Sequence, residues 1–474
     1  MATPGCPVLL ISAPSSGQGK TTLTAFLARY LVNQGKGVRV FKMGPDYLDP
    51  QVLACASGTP VVQLDIWMAG RSWCAQQLAL AAQDADCILI EGAMGLFDGS
   101  PSSADFAIEF GIPIVLVLDV KGMAQTVAAL AHGLAHYDRR ISCVGVFANK
   151  CGSVRHRELI ETALPAELPL LGSIARDPEL ALPERHLGLV QAGEIGESLE
   201  LILDRGAAAL ANATLERFCL NALLNRGSNR GLNKGGPTPS FEAWFDKPEP
   251  TLSCVFSPGY RIAIARDPAF SFIYQANLDL LEQLGAELVY FSPLEQEQLP
   301  QPVHALWLPG GYPELHAQVL ASNETMRTSI REHFRQDKPI LAECGGFLYT
   351  LDRLIDLQGV PHTLLGLIEG ESRMSGRSGC QGLQTAELPE GEIRGHAHHR
   401  SRAQCRLEPL GYARRQRHDA PGEAIYRSRG LTATYLHLFF PRNPMAILGL
   451  FEPQQFNALC GKKVTSTAHL LEQA

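Results

Sequence analysis

Three short segments hold side chains whose type and spacing suit phosphate and metal chemistry. The first, Ala13-Pro-Ser-Ser-Gly-Gln-Gly-Lys-Thr-Thr22, lies between an apolar run and a helical pattern. Gly17 and Gly19 let the backbone fold around phosphate oxygens, and a helix starting there offers free N–H groups at its positive end. Lys20 can reach terminal phosphates, and Thr21, followed by Thr22, can ligate Mg²⁺. Pro14 stands where such loops usually carry their first glycine. The second segment, Phe41-Lys-Met-Gly-Pro-Asp-Tyr-Leu-Asp-Pro50, offers Lys42 to phosphate and Asp46 to a metal or a γ-phosphate. In the third, Ile88-Leu-Ile-Glu-Gly-Ala-Met-Gly-Leu-Phe-Asp98, a buried strand empties into Glu91, where a carboxylate can hold Mg²⁺ directly or through water. Asp49 and Asp98 also read as solvated loop charges.

A second chemistry lies further along. Pro339-Ile-Leu-Ala-Glu-Cys-Gly-Gly is an apolar strand that ends in Cys344 and runs through small residues into a helix. Such an elbow presents a nucleophile at a sharp turn, and the helix start is expected to lower the thiol pKa. A thiol nucleophile needs a base. His437, in Ala433-Thr-Tyr-Leu-His-Leu-Phe-Phe-Pro441, ends an apolar strand and is the first candidate. The run Gly395-His-Ala-His-His-Arg-Ser401 fits no zinc spacing with cysteine partners and reads as a surface loop or substrate contact, which leaves His396, His398 and His399 without an assigned role. In Leu306-Trp-Leu-Pro-Gly-Gly-Tyr-Pro-Glu314, the N–H groups of Gly310 and Gly311 can serve as an oxyanion hole.

The elements that must position these groups follow from periodicity. Strands are expected at Val8–Ala13, Val38–Met43, Cys87–Glu91, Ile114–Asp119 and Val144–Asn149, with helices at Thr22–Gln34 and Ala124–His136. That alternation is the pattern of a parallel sheet with crossover helices, whose ligands bind beyond the strands' carboxyl ends. It stops near residue 225 in a Gly/Asn/Pro-rich stretch and resumes with Arg261–Asp267, a helix at Ile273–Leu284, Glu287–Phe291, Ala305–Leu308 and Pro339–Glu343. The expected organisation is a phosphate-loop domain over 1–225, a linker over 226–260, a thiol domain over 261–450 and a tail over 451–474. At about 150 residues per domain, 474 residues accommodate this plan. With 46% hydrophobic and 19% charged residues, a disordered or fibrous chain is excluded. A net charge of −7 without a basic block argues against nucleic acid. No apolar run is long enough to span a bilayer and the first ten residues have no positive n-region, so a cytoplasmic location is expected. Twelve cysteines without a Cys-x-x-Cys pair read mostly as reduced core thiols.

Taken together, the phosphate loop, Phe41–Pro50, Glu91–Gly99, Leu-Pro-Gly-Gly-Tyr-Pro-Glu-Leu and Ala-Glu-Cys-Gly-Gly resemble the cobyrinate a,c-diamide synthase family of corrinoid biosynthesis, over nearly the whole chain. The resemblance implies an α/β chain: a P-loop, dethiobiotin-synthetase-like parallel-sheet domain joined to a class I glutamine amidotransferase-like domain. It implies glutamine hydrolysis through a glutamyl thioester on Cys344 with His437 as base, and passage of ammonia to carboxylates activated by ATP and Mg²⁺ as acyl phosphates. Lys20, Thr21 and Glu91 would then serve nucleotide and metal, while Asp46, Tyr47, Leu48 and Asp98 line the carboxylate site. The implied acceptor is cobyrinate. Hydrogenobyrinate and other tetrapyrrole acids share the chemistry, and homodimerisation stays open. A different class of answer is a regulatory or partitioning ATPase whose thiol domain only binds. One departure stands out: where many relatives of the amidotransferase half carry Glu two residues after the histidine, this chain has Phe439.

Overall fold

The computed structural model describes residues 6–182, 184–185, 188–189, 192–213, 255–376, 379 and 381–461. The expected linker up to residue 254 and the end of the tail from residue 462 lie outside the described residues. The chain divides into two compact units, Met1–Glu249 and Pro250–Ala474.

In the first unit, strands β1 (Val8–Ser12), β2 (Val38–Met43), β3 (Val62–Leu64), β4 (Cys87–Glu91), β5 (Ile114–Asp119), β6 (Cys143–Cys151) and β7 (Leu170–Ala175) form one sheet. Helices α1 (Lys20–Asn33), α2 (Asp49–Ser57), α3 (Arg71–Asp84), α4 (Ser103–Phe110), α5 (Thr126–Tyr137) and α6 (Val154–Ala163) connect them, and α7 (Ala192–Ala213) follows a two-residue pair, β8 (Glu184–Arg185) with β9 (Gly188–Leu189). The sheet order is β3-β2-β4-β1-β5-β6-β7, and every pairing is parallel. β1 and β4 are buried along their whole length, as crossover helices on both faces require. The five expected strands are present within two residues at each end. β3 and β7 were not expected: β3 has only three residues, and β7 is interrupted by Gly172 and Ser173.

Strand order makes the first site. β4 lies between β1 and β2, with Glu91 paired to Ile11 on one side and to Lys42 on the other. Three loops that are far apart in sequence therefore leave the sheet side by side.

In the second unit, β10 (Arg261–Ala265), β11 (Glu287–Phe291), β12 (Ala305–Leu308) and β13 (Ile340–Glu343) are the expected parallel strands. Between them lie α8 (Gln275–Gln283), α9 (Ala317–Ser322) and α10 (Glu324–Arg335), and α11 (Gly345–Thr350) follows the elbow. The remainder is largely antiparallel, which the reading of this half as regular alternation missed. A four-stranded sheet joins β14 (Leu351–Ile355), β15 (Pro361–Thr363), β16 (Ile368–Met374) and β19 (Ser401–Cys405). The main sheet continues from β13 through β22 (Leu431–Thr434), β21 (Pro421–Ser428), β20 (Gly411–Arg415), β17 (Gln381–Leu388) and β18 (Gly391–His398) to β23 (His437–Leu438), before α12 (Pro444–Phe451). β18 overturns the surface-loop reading of its histidines: alternation along an antiparallel strand turns His396 inward, and it is buried.

Only Tyr435 and Leu436 separate β22 from β23, yet these are the fifth and tenth strands of the order. The antiparallel half must therefore curl back toward the parallel half. Side chains alternate across the sheet. Leu306, Leu308, Ile340 and Ala342 enter one apolar cluster, whereas Trp307, Leu341, Ile393 and Leu438 enter the other.

A capping box opens α4, just after the loop that leaves β4. The Asp105 amide donates to Ser102 Oγ at 3.1 Å, and the Ser102 amide donates to Asp105 Oδ2 at 2.8 Å. Ser102→Ala should lower stability by about 1 kcal/mol in urea denaturation, and an unchanged midpoint would show that the cap contributes nothing.

Candidate active sites

The phosphate loop leaves β1 and enters α1 through Gly17 (φ +76°) and Gly19 (φ +95°). A Cβ on Gly19 would lie 2.1 Å from Asn149 Nδ2, so both its φ and its surroundings demand glycine. Asn149 ends up there because β6 runs beside β5; its Nδ2 donates to Gln18 O at 2.9 Å, while Gln18 Oε1 accepts from the Asp119 amide at 2.8 Å. No side chain caps the start of α1. Its first N–H groups, with Thr21 and Thr22 in the opening turn, form the cradle that a phosphate requires.

The charged side chains meet at the carboxyl ends of β2 and β4. Lys20 Nζ donates to Ser15 O at 2.9 Å and to Met94 O at 2.5 Å, which ties the phosphate loop to the loop after Glu91. Thr21 Oγ1 donates to Glu91 Oε1 at 2.7 Å. Lys42 Nζ donates to the same oxygen at 2.8 Å and to Asp49 Oδ2 at 2.6 Å. Burial alone would lower Lys42, but Asp49 and Glu91 outweigh it and hold the ammonium above its ordinary range. Its single charge is shared unequally. Burial works against Asp49 as well, yet Lys42 keeps that carboxyl below the usual value. Glu91, by contrast, is pushed up to about 7 by burial despite Lys42. Lys20 falls to about 8 through burial and the neighbouring Lys42.

Asp46 is half-buried beside Asp49, and both desolvation and that carboxylate raise its pKa. Its Oδ1 accepts from the Leu48 and Asp49 amides at 2.9 and 3.1 Å, which fixes the turn that carries Tyr47 and buried Leu48. Asp98 Oδ2 accepts from the Gly95 amide at 3.0 Å. Asp49 is therefore no solvated charge but the partner of Lys42, and the sequence signal was its place in the first turn of a helix directly after that lysine's strand. Glu91 Oε2 is sealed from solvent without a hydrogen-bond partner. Among the described residues no three His, Cys, Asp or Glu side chains gather as a metal site. One orphaned carboxylate oxygen beside a threonine hydroxyl and a phosphate cradle suits Mg²⁺, which keeps few protein ligands and completes its shell with phosphate and water.

In the second unit Cys344 sits at φ +45°, ψ −104°, strained for a non-glycine residue, between β13 and α11. Its amide donates to Thr434 O at 2.8 Å, which joins the elbow to β22. The expected low thiol pKa is not found. Burial pushes Cys344 up, and the carboxylate of Glu314 adds to this, while the Gly345 N–H opposes it too weakly. A six-residue helix cannot offset the removal of a thiolate from water.

His437 is buried and packed against the expected oxyanion turn: a Cβ on Gly310 would lie 2.2 Å from its Cε1. Gly311 N lies 2.9 Å from where a Cβ on Gly345 would be, so the same turn also touches the residue after the nucleophile. Burial, then His396, hold the His437 ring well below the ordinary histidine value. The pair rests as a neutral thiol and a neutral imidazole. His396 pairs directly with His437 across β18 and β23, and burial with His398 brings it down to about 3. His399 stacks on Tyr435 at 3.8 Å and contacts Glu423 Oε1 at 3.2 Å; Tyr435 OH is hydrogen-bonded to Ser401 Oγ at 2.9 Å. Phe439 is buried edge-on to Tyr274 at 5.5 Å. Sequence reasoning missed Glu343, whose signal was a charge inside an otherwise apolar strand.

Comparison with known proteins agrees with this two-site plan. Residues 9–190 match the model of the CobQ/CobB/MinD/ParA nucleotide binding domain, and residues 261–445 match that of the CobB/CobQ-like glutamine amidotransferase domain. The hydrogenobyrinate a,c-diamide synthase of Stutzerimonas stutzeri is 48% identical over 453 residues, covering 96% of this chain and 100% of that protein. The enzyme of the same name from Pseudomonas aeruginosa is 48% identical over 94% of this chain and 98% of its own. The cobyrinate a,c-diamide synthase of Herminiimonas arsenicoxydans is 43% identical, with 94% and 97% covered. With both units matched and identity this high along almost the whole length, the chain belongs to the cobyrinate and hydrogenobyrinate a,c-diamide synthase family.

Proposed function

We propose that this protein is a cytoplasmic, ATP- and Mg²⁺-dependent, glutamine-hydrolysing ligase that amidates the a and c acetate carboxylates of a corrin acid. The observation that carries the reading is the presence on one chain of a phosphate-loop site and of a strained cysteine elbow whose neighbouring Gly310–Gly311 turn also packs against a buried histidine. Relatives at 48% identity bear the hydrogenobyrinate name and one at 43% the cobyrinate name, so both acids belong in the assay.

In the second unit, His437 takes the thiol proton as Cys344 Sγ attacks the side-chain amide carbon of glutamine. The Gly310–Gly311 turn receives the oxyanion, ammonia leaves, and water releases glutamate from the thioester. In the first unit, Lys20 and the opening N–H groups of α1 hold the ATP phosphates. Thr21, Glu91 and Asp46 would hold Mg²⁺, which neutralises phosphate charge when bound. Lys42 sits beside both acids and keeps Asp49 ionised, while Asp46, Tyr47, Leu48 and Asp98 form the wall for the acceptor carboxylate. Phosphorylation of that carboxylate by ATP supplies the leaving group that ammonia displaces, giving amide and inorganic phosphate.

Mass spectrometry of either acid after incubation with ATP, Mg²⁺ and glutamine should show OH replaced by NH₂ twice; no change in either acid would overturn the reading. Cys344→Ala should abolish glutamine-driven synthesis and leave ammonia-driven synthesis intact, and loss of both would make Cys344 structural. Glu91→Gln should lower ATP turnover by about 100-fold, whereas unchanged turnover would remove Glu91 from the metal site. Because burial keeps the Cys344 thiol protonated, its alkylation by iodoacetamide in the ligand-free protein should rise about tenfold per pH unit from about pH 7 to about pH 9. A plateau within that range would show a low-pKa thiol.

A further inference from the structure

Catalysis by a buried thiol and imidazole depends on how firmly the ring is aimed, and an acid two residues after the histidine often does the aiming. That position holds Phe439. A carboxylate nevertheless stands close by, on the other strand of the site. Glu343 directly precedes Cys344 and is fully buried, and its neighbours Trp307, Leu341 and Leu438 all belong to one apolar cluster. Burial pushes its carboxyl up to about 8, against the pull of the N–H donors that meet both oxygens. Glu343 Oε1 accepts from the Leu438 amide at 2.7 Å, and Oε2 accepts from Trp307 Nε1 at 2.9 Å. Glutamine could not replace it without loss, since its amide has one acceptor oxygen and would set N–H against one of the two donors.

The bond to Leu438 matters because that N–H belongs to the peptide joining His437 to Leu438. The carbonyl of the same peptide is held from another direction: a Cβ on Gly395 would lie 2.3 Å from His437 O. Its orientation sets the direction in which the His437 side chain leaves the backbone, and Gly310 then confines the ring itself. We propose that Glu343 is the positioning acid of this site, holding His437 on line with Cys344 through the Leu438 amide and so filling the orienting role that Phe439 cannot. One carboxylate thereby ties β12, the nucleophile strand β13 and the base strand β23 together. The inference rests on glutamine hydrolysis at Cys344.

The test compares full-length wild type, Glu343→Gln and Trp307→Phe for glutamate release over a range of glutamine concentrations, and for ammonia-driven synthesis as the internal control. In Glu343→Gln, kcat for glutamine should fall by about 100-fold with KM nearly unchanged and ammonia-driven synthesis at the wild-type rate. Trp307→Phe frees the far oxygen but keeps the Leu438 donor, so it should show a smaller loss confined to kcat. A folded Glu343→Gln with wild-type kcat overturns the proposal. So does a loss that raises KM in step or lowers ammonia-driven synthesis, because that marks a structural role. If Glu343→Gln does not fold, wild-type kcat in Trp307→Phe overturns it. Wild-type protein that releases no glutamate would refute the underlying reading as well.

Discussion

A carboxylate removed from water must be met by a cation or by N–H donors, and each unit of this protein is arranged around one such group. In the first unit the group is Glu91, and its environment follows from strand order. Because β4 lies between β1 and β2, register alone sets Lys42 beside Glu91, and the helix that follows β1 brings Thr21 to the same oxygen. In the second unit it is Glu343, met by an indole and a backbone amide. The difference in partners suits the difference in task. The cation beside Glu91 has a second carboxylate partner in Asp49, whereas both partners of Glu343 are uncharged N–H groups.

Both sites keep their reactive groups quiet. Burial sets Cys344 and His437 in their uncharged forms, and burial with Lys42 nearby pulls Lys20 down. A ligand charge of opposite sign beside any of these groups would favour its ionised form. The strain at Cys344 serves the same end. It points the thiol out of the turn at a conformational cost that Gly345, Gly346 and the close approach of the Gly310–Gly311 turn make tolerable.

Much of this was legible in the sequence, and the reason differs by residue. Gly17, Gly19, Lys20, Thr21 and Cys344 lie in contiguous segments whose loop and elbow geometry is local to the backbone, so the motif carries the geometry. Lys42 and Glu91 were legible because a parallel sheet collects the carboxyl ends of neighbouring strands. Asp49 could be read either way until Lys42 was seen to reach it, and Asn149 meets Gly19 only through the register of β6 against β5. The antiparallel half was the larger omission. Several of its strands are longer than the parallel ones but carry polar residues throughout, so their hydrophobic pattern resembles loops, and the pairing of His396 with His437 is set by a sheet that curls rather than by spacing along the chain. The thiol pKa was misjudged because a helix start is visible in sequence and depth of burial is not.

That curl also has a consequence for the order in which the protein becomes competent. Cys344 is held by β13 and, through its amide, by β22, and His437 arrives on β23, the last strand of the sheet in both sequence and spatial order. Contacts of such long sequence separation form late in folding. A chain emerging from the ribosome therefore carries Cys344 without the β22 carbonyl that holds its amide and without His437 until the last strands of the sheet are made.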